Sequence, residues 1–249
     1  MIAHPPAAGQ LSNGMSRPFD LHGPTRRLYK CPVHVAAYFD MLYTEHERYW
    51  WRGKERYSGR PEDYPCSLLT QQTLRLIEAR PAGRALDLGA GEGADSIRLA
   101  LLGYTVDAVE VSPVAAAKIT RFAEQVGAQV GVTVADITQF VPAGRYDTVI
   151  CNGVLQYVED KEAVVTAMQA ATAPGGLNVI SLWSRYSPVP ACHCRVPVMC
   201  DDEDGLVTKL YESWRKELLY FERDKVETAH DDMPPHSHSH IKTIASKPA

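Results

Sequence analysis

Ala85-Leu86-Asp87-Leu88-Gly89-Ala90-Gly91-Glu92-Gly93-Ala94 rises through apolar residues to an acid, breaks into three alternating glycines and leads into a helical pattern. It reads as strand, tight turn and helix. Gly89, Gly91 and Gly93 lack a Cβ, so the backbone can turn sharply and a ligand can lie against it. The helix opens on N–H groups that have no partner within it, which suits a polar ligand. Gly89, Gly91 and Ala94 also fit loosely the turn that holds a dinucleotide, with Glu110 near the spacing of its ribose-binding acid. The glycines alone leave both ligand classes open. Asp87 separates them, because a carboxylate at the strand mouth repels a pyrophosphate and attracts an ammonium.

Downstream, the same alternation of strand and helix continues. Residues 93–102 read as a helix that Gly103 caps, and 104–109 as a strand with Glu110 at its carboxyl end. Ser112 and Pro113 supply an N-cap and a first helical residue for a helix reaching Val126. A third strand over 129–135 ends in Asp136, and a fourth over 146–151 ends in Asn152-Gly153. Residues 159–173 are helical, and Pro174-Gly175-Gly176 turns the chain into a fifth strand ending at Trp183. Strands joined by helices of this length pair in parallel through right-handed crossovers. The acids at 87, 110 and 136 therefore fall on one rim of the sheet. Beyond Trp183 the pattern is irregular, then helical over 206–215, then two strands over 216–227 and 239–245 joined by Asp231-Asp232-Met233-Pro234-Pro235.

Before the α/β core, residues 1–26 read as a mobile tail and 27–83 as a helical, aromatic cap, with 84–249 as the ligand-binding domain. Helical spacing recurs through Val33, Ala36, Phe39 and Leu42, and again through Leu69, Thr73 and Ile77. Between them stands Tyr49-Trp50-Trp51-Arg52, too large and too cationic to face one core, so it either anchors this segment or closes over a ligand. The 249 residues are 45% hydrophobic and carry a net charge of −4. Such a chain fills one domain with extensions and offers no electrostatic grip on nucleic acid. No apolar run nears the roughly 20 residues of a membrane span, and the start lacks signal-peptide character. Six scattered cysteines suggest no disulfide framework, so a cytoplasmic location with reduced thiols is expected. Cys192-His193-Cys194 departs from the Cys-x-x-Cys knuckle, and His236, His238 and His240 read as solvent-exposed edge residues, so no metal is assigned.

The pattern D-x-G-x-G-x-G over Asp87–Gly93, with acids at the two following strand ends, resembles class I S-adenosylmethionine-dependent methyltransferases of the small-molecule type. The resemblance covers residues 84–183 firmly. The histidine-bearing run from Pro235 into Ile241 resembles the closing segment of tellurite-resistance-type methyltransferases. The likeness implies a Rossmann-like α/β fold, with a seven-stranded, mostly parallel sheet, helices on both faces and an N-terminal helical lid. It implies S-adenosylmethionine as cofactor. Asp87, Gly89, Ala90, Gly91 and Gly93 match the groups around its methionine part, and Glu110 matches the acid on both ribose hydroxyls. Val111 matches the residue packed on the adenine, Asp136 and Ile137 those at the adenine edge, and Asn152-Gly153 the pair near the sulfonium.

Methyl transfer is an in-line displacement, in which the protein mainly aligns the acceptor and removes water. Residues that do so are hard to read from sequence. The catalytic candidates are Asn152, Tyr186, Trp183 and Tyr49, and the substrate-binding candidates are Trp50, Tyr157, Arg185 and His193, with Arg185 suited to a carboxylate. A small-molecule methyltransferase is the expected function, with no nucleic-acid or membrane partner and no reading of the oligomeric state. Two alternatives stay open. In one, the amine of S-adenosylmethionine attacks its own γ-carbon, releasing methylthioadenosine and closing azetidine-2-carboxylate inside an aromatic cage. In the other, the protein binds the cofactor without catalysis.

Overall fold

The structure of the chain, a computed structural model, describes residues 34–49, 57–193, 195–229 and 233–249, with the backbone alone at Cys192. The expected tail over 1–26 and the Trp50-Trp51 pair lie outside the described residues. The strands are β1 (Arg84–Leu88), β2 (Thr105–Glu110), β3 (Val130–Val134), β4 (Tyr146–Asn152), β5 (Thr172–Trp183), β6 (Arg215–Glu227) and β7 (His236–Ser246). The helices are α1 (Val35–Glu45), α2 (Leu68–Ile77), α3 (Ala94–Leu101), α4 (Pro113–Gln125), α5 (Lys161–Ala171) and α6 (Leu206–Leu210).

All seven strands form one sheet in the order β3-β2-β1-β4-β5-β7-β6. β1 to β5 run parallel, and β7 is antiparallel to both of its neighbours. The chain moves outward from β1 to β3, then returns to place β4 on the other side of β1. The crevice outside the carboxyl ends of β1 and β4 is thus the topological switch point, where open α/β sheets hold ligands.

The two faces follow from the period of two along each strand. Leu86, Val149, Ile180 and Ile241 point to one side and pack with Val165, Met168, Val207 and Tyr211 of the α5–α6 layer. Ala85, Ile150, Val179 and Ile244 point to the other and pack with Leu69, Ile77 and Leu99 of α2 and α3. Ile97 of α3 meets Phe122 and Ala123 of α4 beside them. By the same period Asp87 falls on the α3 side, buried rather than facing solvent.

Local chemistry sets several boundaries. Ser112 accepts the Ala115 N–H at 3.1 Å and Pro113 opens α4, as the sequence predicts. Asp160 caps α5 by accepting the Ala163 N–H at 2.9 Å. Gly103 ends the first crossover with φ 91°. Three expectations need correction. Pro174-Gly175-Gly176 lies inside β5 as a bulge, since Tyr146 pairs with Thr172 but Thr148 with Leu177. The helix expected over 206–215 stops at Leu210, because Arg215 already pairs with Ser246 in the hairpin ladder. The histidines of β7 are not edge residues: β7 lies between β5 and β6, and His238 is 4% exposed.

The segment before the core is tied to the glycine turn by a buried ion pair that the sequence does not reveal. Lys118 on α4 meets Glu92 in the turn at 3.1 Å, with the Glu92 side chain fully buried. Lys118 also donates to the carbonyls of His46 and Glu47, and the Tyr49 N–H donates to both Glu92 oxygens at 2.8–3.0 Å. Removing one member leaves its partner charged and buried. Lys118→Met is expected to cost about 3–5 kcal/mol in urea unfolding, and Glu92→Gln/Lys118→Met to recover most of that loss.

Candidate active site

At the switch point the turn after β1 is shaped by left-handed backbone. Gly89 has φ 73°, and a Cβ there would collide with Val154 beyond β4. Gly93 has φ 79°, and its Cβ would lie 2.8 Å from Ile119 of α4. The turn therefore lies flat between β4 and α4, as only glycine permits. Its N–H groups are bound from the neighbouring strand. Those of Gly89 and Ala90 donate to the Val109 carbonyl at 2.8 and 3.1 Å, and that of Gly91 to Glu110 at 2.8 Å.

Three carboxylates converge on this turn. Asp87 is buried and accepts the Ser96 hydroxyl at 2.6 Å. Burial, with Asp95 and then Glu110 close by, pushes its carboxyl up to about 7. Asp95, from the first turn of α3, accepts the Ser67 N–H at 2.7 Å and the Asn152 amide at 3.4 Å. Burial raises it too, against donors from Ser67, Thr70 and Asn152. Glu110 accepts from Gly91 and from Ser112 N–H at 2.9 Å, one bond per oxygen, and burial raises it despite those bonds. Each carboxylate oxygen has capacity for a further donor. Sequence reasoning missed Asp95: an acid in a first helical turn reads as favoured by the helix dipole, and that hides its burial.

Around this cluster the other candidates are dispersed. Val111 is half-buried beside Glu110. Asp136 is exposed beyond β3, with Oδ1 accepting both the N–H and the hydroxyl of Thr138 at 2.9 and 2.8 Å, and Ile137 packs on the core. Asn152 accepts the Ser181 hydroxyl, and the Gly153 N–H donates to the Ser181 carbonyl at 2.8 Å. Gln156, in the turn that follows, donates to the Gly153 carbonyl at 2.8 Å, while its buried Oε1 has no hydrogen-bond partner. Tyr157 stands edge-on to Phe39 of α1 at 5.3 Å, and burial raises its phenol. One residue along α1, Asp40 accepts the Ser112 hydroxyl at 2.5 Å, so α1 spans from the β2 end of the rim to the β4 end.

The remaining candidates lie elsewhere. The Tyr49 ring packs on Tyr43 and His46. Arg185 donates to the Cys200 carbonyl at 3.1 Å and is largely exposed. Tyr186 is exposed under the Arg223 guanidinium, 4.6 Å from its ring centre. Trp183 and His193 meet each other and the histidines of β7. Cys66, Cys151 and Cys200 are free thiols, and burial raises that of Cys151.

This donor set fits a cationic amino-acid ligand. Buried carboxylates held close together reject a phosphate group and gain from a positive charge placed between them.

Comparison with known proteins agrees with this architecture. A family model described as a methyltransferase domain matches residues 60–246, and the chain belongs to that family. It is 29% identical over 147 residues to a ubiquinone biosynthesis O-methyltransferase of Caulobacter sp. (strain K31), covering 55% of this chain and 58% of that protein. The chain spans about half the length of the curated relatives it matches. TehB from Haemophilus influenzae has the same fold with a TM-score of 0.61 and 19% identity, over 75% of this chain and 65% of its own. The N-methyltransferase NodS from Bradyrhizobium japonicum WM9, solved with S-adenosylhomocysteine, aligns with a TM-score of 0.58 and 17% identity, over 86% of this chain and 98% of its own. Among the described residues no helix is long and apolar enough to cross a membrane.

The raised Asp87 sets a pH dependence. Between about pH 4 and 7 the native chain holds a proton that the unfolded chain releases, so this group's contribution to stability falls as pH rises through that window. Asp87→Asn is therefore expected to stabilise the ligand-free fold at pH 8 by about 1–2 kcal/mol and to change little at pH 4. Urea midpoints at the two pH values check this.

Proposed function

We propose that the chain is an S-adenosylmethionine-dependent methyltransferase acting on a small molecule. The observation that carries the reading is the set of buried carboxylates Asp87, Asp95 and Glu110, each raised by burial, around a left-handed glycine turn at the switch point. Membership of the methyltransferase-domain family and the S-adenosylhomocysteine bound to NodS support the same ligand.

When bound, S-adenosylmethionine supplies a methyl carbon activated by a positive sulfur. Asp87, with Gly89 to Gly93, holds the methionine part, and its ionised form favours the positive charge. Glu110 accepts the two ribose hydroxyls on the lone pairs that Gly91 and Ser112 leave. Val111 packs on the adenine, and Asp136 with the Ile137 N–H meets the adenine edge. Asn152 and Gly153 line the space beside the sulfonium, with the amide of Asn152 oriented between Ser181 and Asp95.

Phe39 and Tyr157 form an apolar wall on the acceptor side, and the unpaired Gln156 oxygen orients an acceptor that carries a donor. Helix α1, held at Ser112 and Tyr157, covers the rim and excludes water, which strengthens charge interactions beneath it. Tyr49, Trp50, Trp183, Tyr186, Arg185 and His193 are the further positions at which acceptor contacts are to be sought. The match to ubiquinone biosynthesis O-methyltransferases favours a hydroxyl acceptor.

Product analysis tests the reaction. With S-adenosylmethionine and a pool of small hydroxylated metabolites, S-adenosylhomocysteine is expected to form only when the pool is present. Methylthioadenosine formed without any acceptor would overturn methyl transfer in favour of self-cyclisation. Calorimetry tests the site: Glu110→Ala is expected to weaken cofactor binding by roughly ten- to a hundredfold, and an unchanged affinity would remove Glu110 from its role.

A further inference from the structure

Away from the carboxylates, three histidines from two separate parts of the chain gather at the carboxyl edge of β5. His236 and His238 project from one face of β7, two residues apart. His193 ends the short 3-10 turn Ala191–His193 in the connection after β5. One ring nitrogen from each lies within 4.8 Å of the others. His193 Nε2 and His236 Nε2 are 3.2 Å apart. Glu227 pairs with His236 across the β6–β7 ladder, and its Oε2 lies 3.8 Å from His236 Nε2 and 3.9 Å from His238 Nε2.

The His193–His236 spacing matches the edge of a coordination tetrahedron, and the other separations exceed it by about 0.5–1.5 Å, a gap that imidazole and carboxylate rotations close as the ligands draw in around an ion. Zinc–nitrogen bonds of 2.0–2.1 Å place neighbouring ligand atoms about 3.3 Å apart. The surroundings prepare the nitrogens for a metal. His236 Nδ1 lies 2.7 Å from the Pro234 carbonyl, which accepts only if that nitrogen is protonated, and this leaves Nε2 as the electron-pair donor. Trp183 lies over His238, with ring centres 4.0 Å apart and an interplanar angle of 31°, so the imidazole is held in orientation against an apolar wall. The side chains of His236 and His238 are 5% and 4% exposed.

We propose that His193, His236, His238 and Glu227 form a binding site for a divalent transition metal of the zinc class, which pins the connection after β5 to the β6–β7 hairpin. Three imidazoles and one carboxylate are a borderline-soft donor set, suited to zinc or cobalt and poorly suited to calcium or magnesium. The site draws on no residue of the carboxylate cluster, and it assigns His193 to a metal rather than to an acceptor; Zn2+ binding is read without S-adenosylmethionine or an acceptor, so its failure leaves the methyltransferase reading untouched.

The full chain, stripped with a chelator and titrated with Zn2+ alone against a chromophoric competitor, is expected to bind one equivalent with submicromolar affinity and to melt at a higher temperature when loaded. Co2+ is expected to give the intense visible bands of a four-coordinate nitrogen and oxygen site. His238→Gln and His193→Ala are each expected to weaken Zn2+ binding by about a hundredfold or more and to abolish the melting shift. His193 lies outside the sheet, so its variant decides the matter if the β7 variant fails to fold in the metal-free state. Cys192→Ser/Cys194→Ser is expected to bind within about threefold of the parent, because thiolates are not among the proposed ligands. No saturable binding below about 10 μM would overturn the proposal, as would retention of parental affinity in the histidine variants or its loss in the cysteine variant.

Discussion

Charge held out of water at the switch point between β1 and β4 is the constraint on which the site depends. Asp87, Asp95 and Glu110 are drawn into the protein by strand and helix positions that leave their carboxyl groups largely out of water. Burial alone would force them neutral. The structure answers with N–H and hydroxyl donors from Gly91, Ser112, Ser67 and Ser96, which moderate the cost without removing it. A region in this condition gains from a cation. The glycine turn, flat because Gly89 and Gly93 adopt backbone that a side chain would obstruct, gives that cation an approach.

A second buried charge, of the opposite purpose, holds the neighbourhood together. Glu92 is one residue from Gly91, yet it turns away from the carboxylate cluster and meets Lys118. Through Lys118 and the Tyr49 N–H it fastens the chain over 46–49 to α4 and the glycine turn. The acids of one ten-residue stretch thus divide their work. Asp87 is left with unsatisfied electrostatics, whereas Glu92 is fully compensated. The helix α1, anchored at Ser112 and against Tyr157, follows from the same fastening, since it enters directly into the clamped segment.

Toward β7, further along the sheet from the switch point, the structure is built on imidazole. β7 returns antiparallel between β5 and β6, which places its alternating histidines against Trp183 and the connection after β5. Reading these histidines as an edge feature fails for a topological reason: the last strand in sequence is not the last strand in space.

What the residues determined without the fold is what local physics can carry. Period-two and helical spacing, the Ser112-Pro113 cap, the glycine turn and the acids at strand ends made the α/β order legible, and with it the rim on which Asp87, Glu110 and Asp136 fall. Boundaries failed where pairing across the sheet overruled local pattern, as at the Pro174-Gly175-Gly176 bulge and at Arg215. Asp95 and Gln156 were invisible because nothing in their own neighbourhood marks them; one is an ordinary first-turn acid and the other an ordinary polar loop residue. Only tertiary structure brought Lys118 to Glu92 across 26 residues and His193 to His236 across 43. Ion pairs and ligand clusters between distant segments leave no periodic trace, because they depend on where the chain crosses itself and not on what stands beside each residue.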